Sequence, residues 1–449
     1  MWRKKTGPVM IALALLILPQ VSQAQAQEVS LQEAFHLALE GNPQLVALNN
    51  SLKAVQAKVG SARGRLLPKV TFEERYMKTD NPTYAFSSKL NQSRFESEDF
   101  ALENLNDPDA INDFTTSLSV TQALYSRQAS LGVKMARTQS EAVELDYLRA
   151  REKVLFDVLE AYIGAGTAKR YLEVAGKGLE DARTHLDIAR SRVEAGLGLE
   201  SDLLRAEVSV KESEERLVSA RKSVSLAARG LGLILGLSGP VDAVAQQIPL
   251  PDLEPLKHYE AGAHERNDLR AMARKVDNAR LNVRMATAPF APMVGLGGSY
   301  QVNSHRAPFD DEGSSYQVSA FLRWDLYSGG QRSHAASNAN YSLSEAQAYY
   351  DGMKKEIVYR INEAYLTVLE AARGKELATS RLSLADETAR LIEKRYENSL
   401  ATVVELLDAQ TALDSARANL VAKENAHLVS MASLLFQAGL IEQGYLTKD

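Results

Sequence analysis

RYENSLATVVELLDAQ, residues Arg395 to Gln410, reads as a tight turn joining two long antiparallel helices, and the chain contains it twice. The earlier copy is RVEAGLGLESDLLRAE, Arg192 to Glu207. Arg192 answers to Arg395, Glu194 to Glu397, Leu197 to Leu400, Leu203 and Leu204 to Leu406 and Leu407, and Ala206 to Ala409, each 203 residues further on. Downstream, apolar residues recur every seven positions: Leu203, Val210 and Leu217 in the first copy, Leu406, Leu413 and Leu420 in the second. Alanines (Ala206 and Ala220, Ala409 and Ala416) share the seam, which is the a/d spacing of a coiled coil. A duplicated helical hairpin is therefore the frame of the fold.

The rest of the chain repeats around it. Glu363-Ala364-Tyr365 repeats Glu160-Ala161-Tyr162, and Gly439-Leu440 repeats Gly236-Leu237. Ser126 to Arg190 carries no proline and predicts one helix of roughly 95 Å at ~1.5 Å per residue, longer than a globular domain needs. Val29 to Leu67 reads as helix, with Ser30 as N-cap, Glu33 closing a capping box, and a break or restart at Asn42-Pro43. Its second part, Glu40 to Pro68, matches His264 to Pro292 at an offset of 224.

Between each such helix and each hairpin the period changes from helical to alternating. Phe114, Thr116, Leu118 and Val120 alternate with Thr115, Ser117, Ser119 and Thr121; Tyr316, Val318, Ala320, Leu322 and Trp324 alternate with Gln317, Ser319, Phe321, Arg323 and Asp325. Alternation of this kind predicts half-buried strands, two in each repeat. The offset falls from 224 to 202 across the strands, so the first interstrand loop is 22 residues longer. That segment, Lys78 to Asp113, is polar and carries Asn81-Pro82 and Asp107-Pro108, and reads as an exposed loop.

The chain divides accordingly. Residues 1–26 read as a secretory signal: Arg3, Lys4 and Lys5, an apolar run from Val9 to Leu18 too short to span a bilayer, then Ser22, Ala24 and Ala26 for cleavage. The first repeat covers 27–237, with strands at about 69–77 and 113–125 and a hairpin over 126–237. A proline-bearing linker covers 238–263. The second repeat covers 264–440, with strands at about 293–304 and 315–327 and a hairpin over 328–440, and 441–449 form a tail.

Composition narrows the function. Of the 449 residues 7% are aromatic and 24% charged, and the net charge of −5 argues against a broad nucleic-acid footprint. Without cysteine the chain offers no disulfide, thiol nucleophile or thiolate metal site. The seven histidines (His36, His185, His258, His264, His305, His334, His427) show no i, i+4 ligand spacing, and Gly295 to Gly298 lies in a strand pattern rather than a phosphate loop. No enzyme, cofactor or metal is expected.

Four strands with one apolar face cannot close a barrel alone. In an exported chain without a spanning helix they point to an outer-membrane barrel pooled from several chains, twelve strands from three. Tyr300, Tyr316, Trp324 and Tyr327 are candidates for its aromatic girdle.

The ordered set NPQL (Asn42 to Leu45), LLPKV (Leu66 to Val70), FAPMV (Phe290 to Val294), LYSGGQR (Leu326 to Arg332) and the two turns resembles the TolC-like outer-membrane efflux protein family over essentially the whole mature chain. The resemblance implies a mainly helical fold with a β-barrel part. Three chains would form a twelve-stranded outer-membrane barrel and a periplasmic α-helical barrel, belted by Leu237 to Ala263 and the C-terminal residues. It implies a passive exit duct of a tripartite efflux system, docked to a periplasmic adaptor (membrane fusion protein) and an inner-membrane pump. It also implies acids ringing the periplasmic aperture, here Glu405 and Asp408; gate links at Asp202 and Tyr396; and adaptor-docking turns at Gly196, Leu197, Leu199, Leu400 and Ala401. Six crowded carboxylates would raise one another's pKa and favour cations. Ala401 stands where the family has a basic residue and Ser399 where glycine is usual, which leaves Arg395 as a substitute. Thr402-x-x-Glu405 is also a capping box, and Asp202 is also a first-turn acid. Two other readings are a type I protein-secretion duct and a structural coiled-coil envelope protein without a pore.

Overall fold

The structure, a computed structural model, describes residues 27–244 and 248–446. The expected signal peptide lies outside them, as do the last three residues of the expected tail. In chain order the elements are β1 (Gln27–Val29), α1 (Leu31–Gly41), α2 (Pro43–Gly64), β2 (Lys69–Thr79), α3 (Pro82–Asn91), α4 (Leu102–Asn106), β3 (Ile111–Tyr125), α5 (Arg127–Glu194) and α6 (Glu200–Ile234). The second half follows with β4 (Val241–Ala243), α7 (Leu256–Gly262), α8 (Asn267–Ala286), β5 (Met293–Ser304), β6 (Gly313–Arg323), α9 (Gln331–Glu397), α10 (Val403–Ala438) and α11 (Ile441–Tyr445).

The long helices α5 and α9 have 68 and 67 residues, so each runs for about 100 Å. Each packs against its return helix, and α5 also packs against α10, which ties the hairpins together. The heptad seam is the buried one. Ala206, Val210, Leu406, Ala409, Leu413 and Ala416 are all under 10% exposed, and alanine at those positions lets the backbones approach closely. Both return helices end on a left-handed glycine, Gly236 at φ 77° and Gly439 at φ 74°. At Gly236 a Cβ would lie 2.2 Å from the Gly41 carbonyl, so no side chain fits.

The main hydrophobic core is a belt at mid-length, where α1, α5, α6, α9 and α10 bury Phe35, Leu159, Tyr162, Leu231, Ile361 and Leu434. Strands β1 and β4 pair in parallel at its surface. The Tyr162 hydroxyl donates to the carbonyls of Val29 (3.1 Å) and Val244 (3.2 Å), pinning both strands to α5. Beside the belt, Arg149, Glu152, Arg266 and Asp268 form a largely buried charge cluster. Arg149 donates to the Phe436 carbonyl and Arg266 to the Gln437 carbonyl, so two guanidiniums satisfy the C-terminal end of α10.

Strands β2, β3, β5 and β6 form one antiparallel sheet in that order. Register places Phe72, Leu118, Tyr300 and Tyr316 in one row across all four strands, and Val70, Val120, Gly298 and Val318 in the next. Apart from Gly298, these residues are 40–82% exposed. The opposite face carries Thr71, Ser119, Ser299 and Gln317. A register shift between Ala123 and Tyr125 bends β3 where it enters α5. Gly295 faces Phe321 in register, and a Cβ there would lie 2.4 Å from the ring. The glycine run is thus a strand whose missing side chains make room for an aromatic.

Four expectations need correction. Val29 belongs to β1 and not to a helix, because it pairs in register with Ala243 of β4 and its carbonyl accepts from Val244 N–H at 3.3 Å. The break expected at Asn42-Pro43 is present, Asn42 accepting from Gln44 and Leu45 N–H, but the second helix ends at Gly64 and does not reach Leu67. Ser30 caps α1 by accepting from Glu33 N–H. The strand expected over 315–327 runs from Gly313 to Arg323, and the alternation at Trp324 and Asp325 continues past the last paired residue. The segment from 78 to 113 is not a plain loop: it extends both strands and holds α3, α4 and a 3₁₀ turn over Ser97–Phe100. Asn81 and Pro82 act there as a helix start, Asn81 accepting from Tyr84 N–H.

Among the described residues no helix is long and apolar enough to cross a membrane.

Candidate functional site: the helical tips

The two hairpin turns lie together at the end of the molecule away from the sheet. Each is closed by the same backbone bond: Leu197 N–H to the Arg192 carbonyl (2.8 Å) and Leu400 N–H to the Arg395 carbonyl (2.7 Å). Each places one residue in the left-handed region, Gly196 at φ 71° and Ser399 at φ 62°. In each, the arginine that starts the turn also donates a guanidinium N–H back to it, Arg192 to the Leu197 carbonyl and Arg395 to the Leu400 carbonyl. The geometry is that of a helix C-terminus whose orphan carbonyls are met by the turn and by a cation. It gives Arg395 a place in its own turn.

Arg192 does more. A second guanidinium N–H donates to the Tyr396 carbonyl at 2.6 Å, and the guanidinium carbon sits 4.7 Å over the Tyr396 ring. Tyr396 is 3% exposed, packed with Val403 and Leu406. Burial raises its hydroxyl pKa; the neighbouring Arg192 opposes that and Asp202 adds to it. Asp202 and Tyr396 are thus near one another, but at the turns it is Arg192 that makes the direct hydrogen bond from one hairpin to the other. Its repeat position was visible in the sequence; its second partner required the three-dimensional approach of the two turns.

Glu405 and Asp408 lie on one exposed face of the first turns of α10. Glu405 closes a full capping box: Thr402 N–H donates to Oε2 at 2.7 Å, the Thr402 hydroxyl donates to the same oxygen at 3.0 Å, and Glu405 N–H donates to the hydroxyl at 3.3 Å. The Thr402 N–H, then its hydroxyl, hold the Glu405 carboxyl below the ordinary range. Leu197, Leu199 and Leu400 are 66–70% exposed at the turns, beside Gly196 and a half-buried Ala401. Among the described residues no group of three or more acidic or histidine side chains is placed to hold a metal.

At the other end, Tyr300 and Tyr316 are register partners on the apolar face of the sheet. Trp324 and Tyr327 follow β6 and are 52% and 86% exposed. The indole N–H of Trp324 donates to the Phe290 carbonyl at 3.2 Å.

The family model for outer membrane efflux proteins matches residues 34–237 and 260–440. The alkaline protease secretion protein AprF of Pseudomonas aeruginosa is 22% identical over 93% of this chain and 86% of its own length. The outer membrane protein TolC of Vibrio cholerae is 21% identical over 98% and 96%. Among solved structures, the outer membrane protein VceC of Vibrio cholerae superposes with a TM-score of 0.76 at 17% identity, covering 91% of this chain and 96% of that one.

Proposed function

The chain belongs to the outer membrane efflux protein family, and from that premise we propose that three copies assemble into one continuous exit duct. As a family member it is an outer-membrane exit duct of an efflux or secretion system, reaching into the periplasm, and not an enzyme. The finer reading is a homotrimer whose sheets join into a twelve-stranded barrel in the outer membrane and whose hairpins join into a helical tube. An adaptor and an inner-membrane pump dock at the tips.

One observation carries this. The sheet has four strands, two free edges (β2 and β6) and an apolar face whose Val70, Leu118, Val120, Tyr300, Tyr316 and Val318 are exposed. Unpaired edges and a bare apolar face are stable only if other strands and lipid cover them. Three copies satisfy every edge at the even strand number of a membrane barrel. Tyr316 and Trp324 are eight residues apart, about 27 Å along a strand and ~20 Å once tilted, near the ~25 Å height of an apolar band between aromatic girdles.

At the tips, the capped Glu405 and the exposed Asp408 contribute carboxylates from each copy to a shared axis, a cation-preferring aperture. The exposed Leu197, Leu199 and Leu400 form the adaptor's landing surface. Planar bilayers test the duct: purified protein should give discrete, cation-selective conductance steps, and a protein without a pore gives none. The similarity to AprF favours a second reading, in which the cargo is an exported polypeptide. Loss of a secreted protein, rather than sensitivity to toxic small molecules, in a deletion strain would select it.

A further inference from the structure

The longer first interstrand loop lies on one face of the sheet, and the choice of face has a consequence. Strand alternation places Asp113, Thr115 and Asn303 on the polar face, in line with Ser117, Ser299 and Gln317. Gln92, just past α3, donates its amide N–H to the Asp113 carboxylate at 2.8 Å and to the Asn112 carbonyl at 2.9 Å. Asn303 Nδ2 donates to both Asp113 oxygens, at 3.0 and 3.2 Å, and the Thr115 hydroxyl donates to Oδ2 at 3.0 Å. Gln92, Asp113, Asn303 and Thr115 are 1%, 2%, 2% and 6% exposed. A carboxylate so enclosed has exchanged water for side-chain donors, and one of those donors comes from the insert.

Backbone fit agrees. The end of α3 presses on the first residue of β6, so a Cβ at Gly313 would lie 1.9 Å from the Asn91 carbonyl oxygen. The insert also has its own scaffold: Phe86, Phe95 and Phe100 stand edge to face at 4.7 and 5.0 Å, and Lys89 pairs with Asp99 at 2.7 Å. The shorter loop between β5 and β6 behaves differently. Its Phe309 stacks on Phe72, on the apolar face, with ring centroids 5.9 Å apart. Folding onto the polar face is therefore particular to the insert.

We propose that the segment between β2 and β3 is an inward-folded collar that narrows the outer mouth of the duct and sets an upper size for what passes. The proposal rests on the barrel reading above, which makes the polar face the lumen. Residues Asp80 to Asp113 carry eight acids against two bases. Three such segments surround the axis with negative charge, so the collar disfavours bulky anions most.

Because the chain has no cysteine, single thiols report directly. Gln317→Cys places one on the polar face beneath the collar, and Asp311→Cys places a control on the exposed outer loop. Intact cells are treated with two membrane-impermeant maleimides, one small and one carrying a polyethylene glycol of several kilodaltons. In the parent background the Gln317→Cys thiol should react with the small reagent and about tenfold more slowly with the large one, by steric exclusion. Two further backgrounds release the collar: replacement of residues 81–110 by a short turn, and Gln92→Ala with Gly313→Ala. In both, the lag should shrink to that of the control. An equal lag with and without the collar, or no lag in the parent, overturns the collar alone. A Gln317→Cys thiol that neither reagent reaches in any background shows that this face does not meet water, which overturns the barrel reading and the collar with it.

Discussion

Arg192 of the first hairpin donates to the backbone carbonyl of Tyr396 of the second at 2.6 Å and lies across its ring. The contact joins a cation to a carbonyl and a π-face, and neither needs the tyrosine hydroxyl. Removing it should loosen the tips by about 2 kcal/mol, the usual worth of a charge-assisted hydrogen bond with a cation–π contact. Arg192→Ala should therefore raise channel leak and sensitivity to large antibiotics, while Tyr396→Phe leaves both near the parent value. If instead Asp202→Ala with Tyr396→Phe opens the channel and Arg192→Ala does not, the hydroxyl carries the link.

The two tip turns share one backbone shape but only one has a glycine at its left-handed position. Ser399 at φ 62° bears the steric cost that Gly196 escapes, about 1 kcal/mol for an L-residue. Ser399→Gly should stabilise the second tip by about that amount, and Gly196→Ser should destabilise the first by a similar amount, since a Cβ there meets nothing within 4 Å and only the dihedral counts. Hydrogen exchange localised to each turn reads both.

The two acids proposed for the aperture are unequal. Glu405 is engaged three times by Thr402, and Asp408 is exposed on the same face. Asp408→Asn should remove most of the cation preference by itself, and Glu405→Gln should add a small further loss together with a weakened helix start, about 1 kcal/mol for a cap. Reversal potentials in a salt gradient measure the first effect, and unchanged selectivity in the double variant rejects the acidic aperture.

The charge cluster beside the belt predicts a two-limbed acid response. Burial raises the Glu152 carboxyl despite Arg149. Burial also acts on Asp268, but Arg266 and Arg149 outweigh it and hold that carboxyl low. A raised carboxyl contributes stability that is present below its unfolded value and lost as pH rises through its folded one. A depressed carboxyl contributes stability that is present above its unfolded value and lost as pH falls through its folded one. Lowering the pH from neutral toward the ordinary carboxyl range of ~4.5 should therefore relieve Glu152, and a further fall below ~4 should cost Asp268's share. Glu152→Gln should flatten the first limb and Asp268→Asn the second, in melting temperature against pH. Glu152→Ala, which leaves Arg149 and Arg266 to share the single carboxylate of Asp268, should cost about 3 kcal/mol.

The sequence announces the large elements because they are periodic and duplicated. The offset of 203 between Arg192 and Arg395 locates both tips, and the alternation from Phe114 to Val120 locates a strand. Elements without period were harder to read. Residues 82–106 hold helices of ten and five residues joined through a 3₁₀ turn, and the aromatic residues that pack there (Phe86, Phe95, Phe100) are too few and too scattered to reveal a buried face. β1 and β4 have three residues each and exist only because each completes the other. The same holds at the site. The acids and apolar turns could be found by position, but Gln92 with Asp113, and Arg192 with Tyr396, meet across 21 and 204 residues, a separation that no local pattern encodes.

In a barrel pooled from three copies, the free edges β2 and β6 of one sheet are closed by other copies. Pairs of cysteines, one on β2 and one on β6, introduced into this cysteine-free chain and oxidised in intact cells, test it directly. Closure by three chains predicts that some register of pairs gives linked species of two and three chains and nothing larger. Chains that remain unlinked across every register, or that link into an open series beyond three, contradict it.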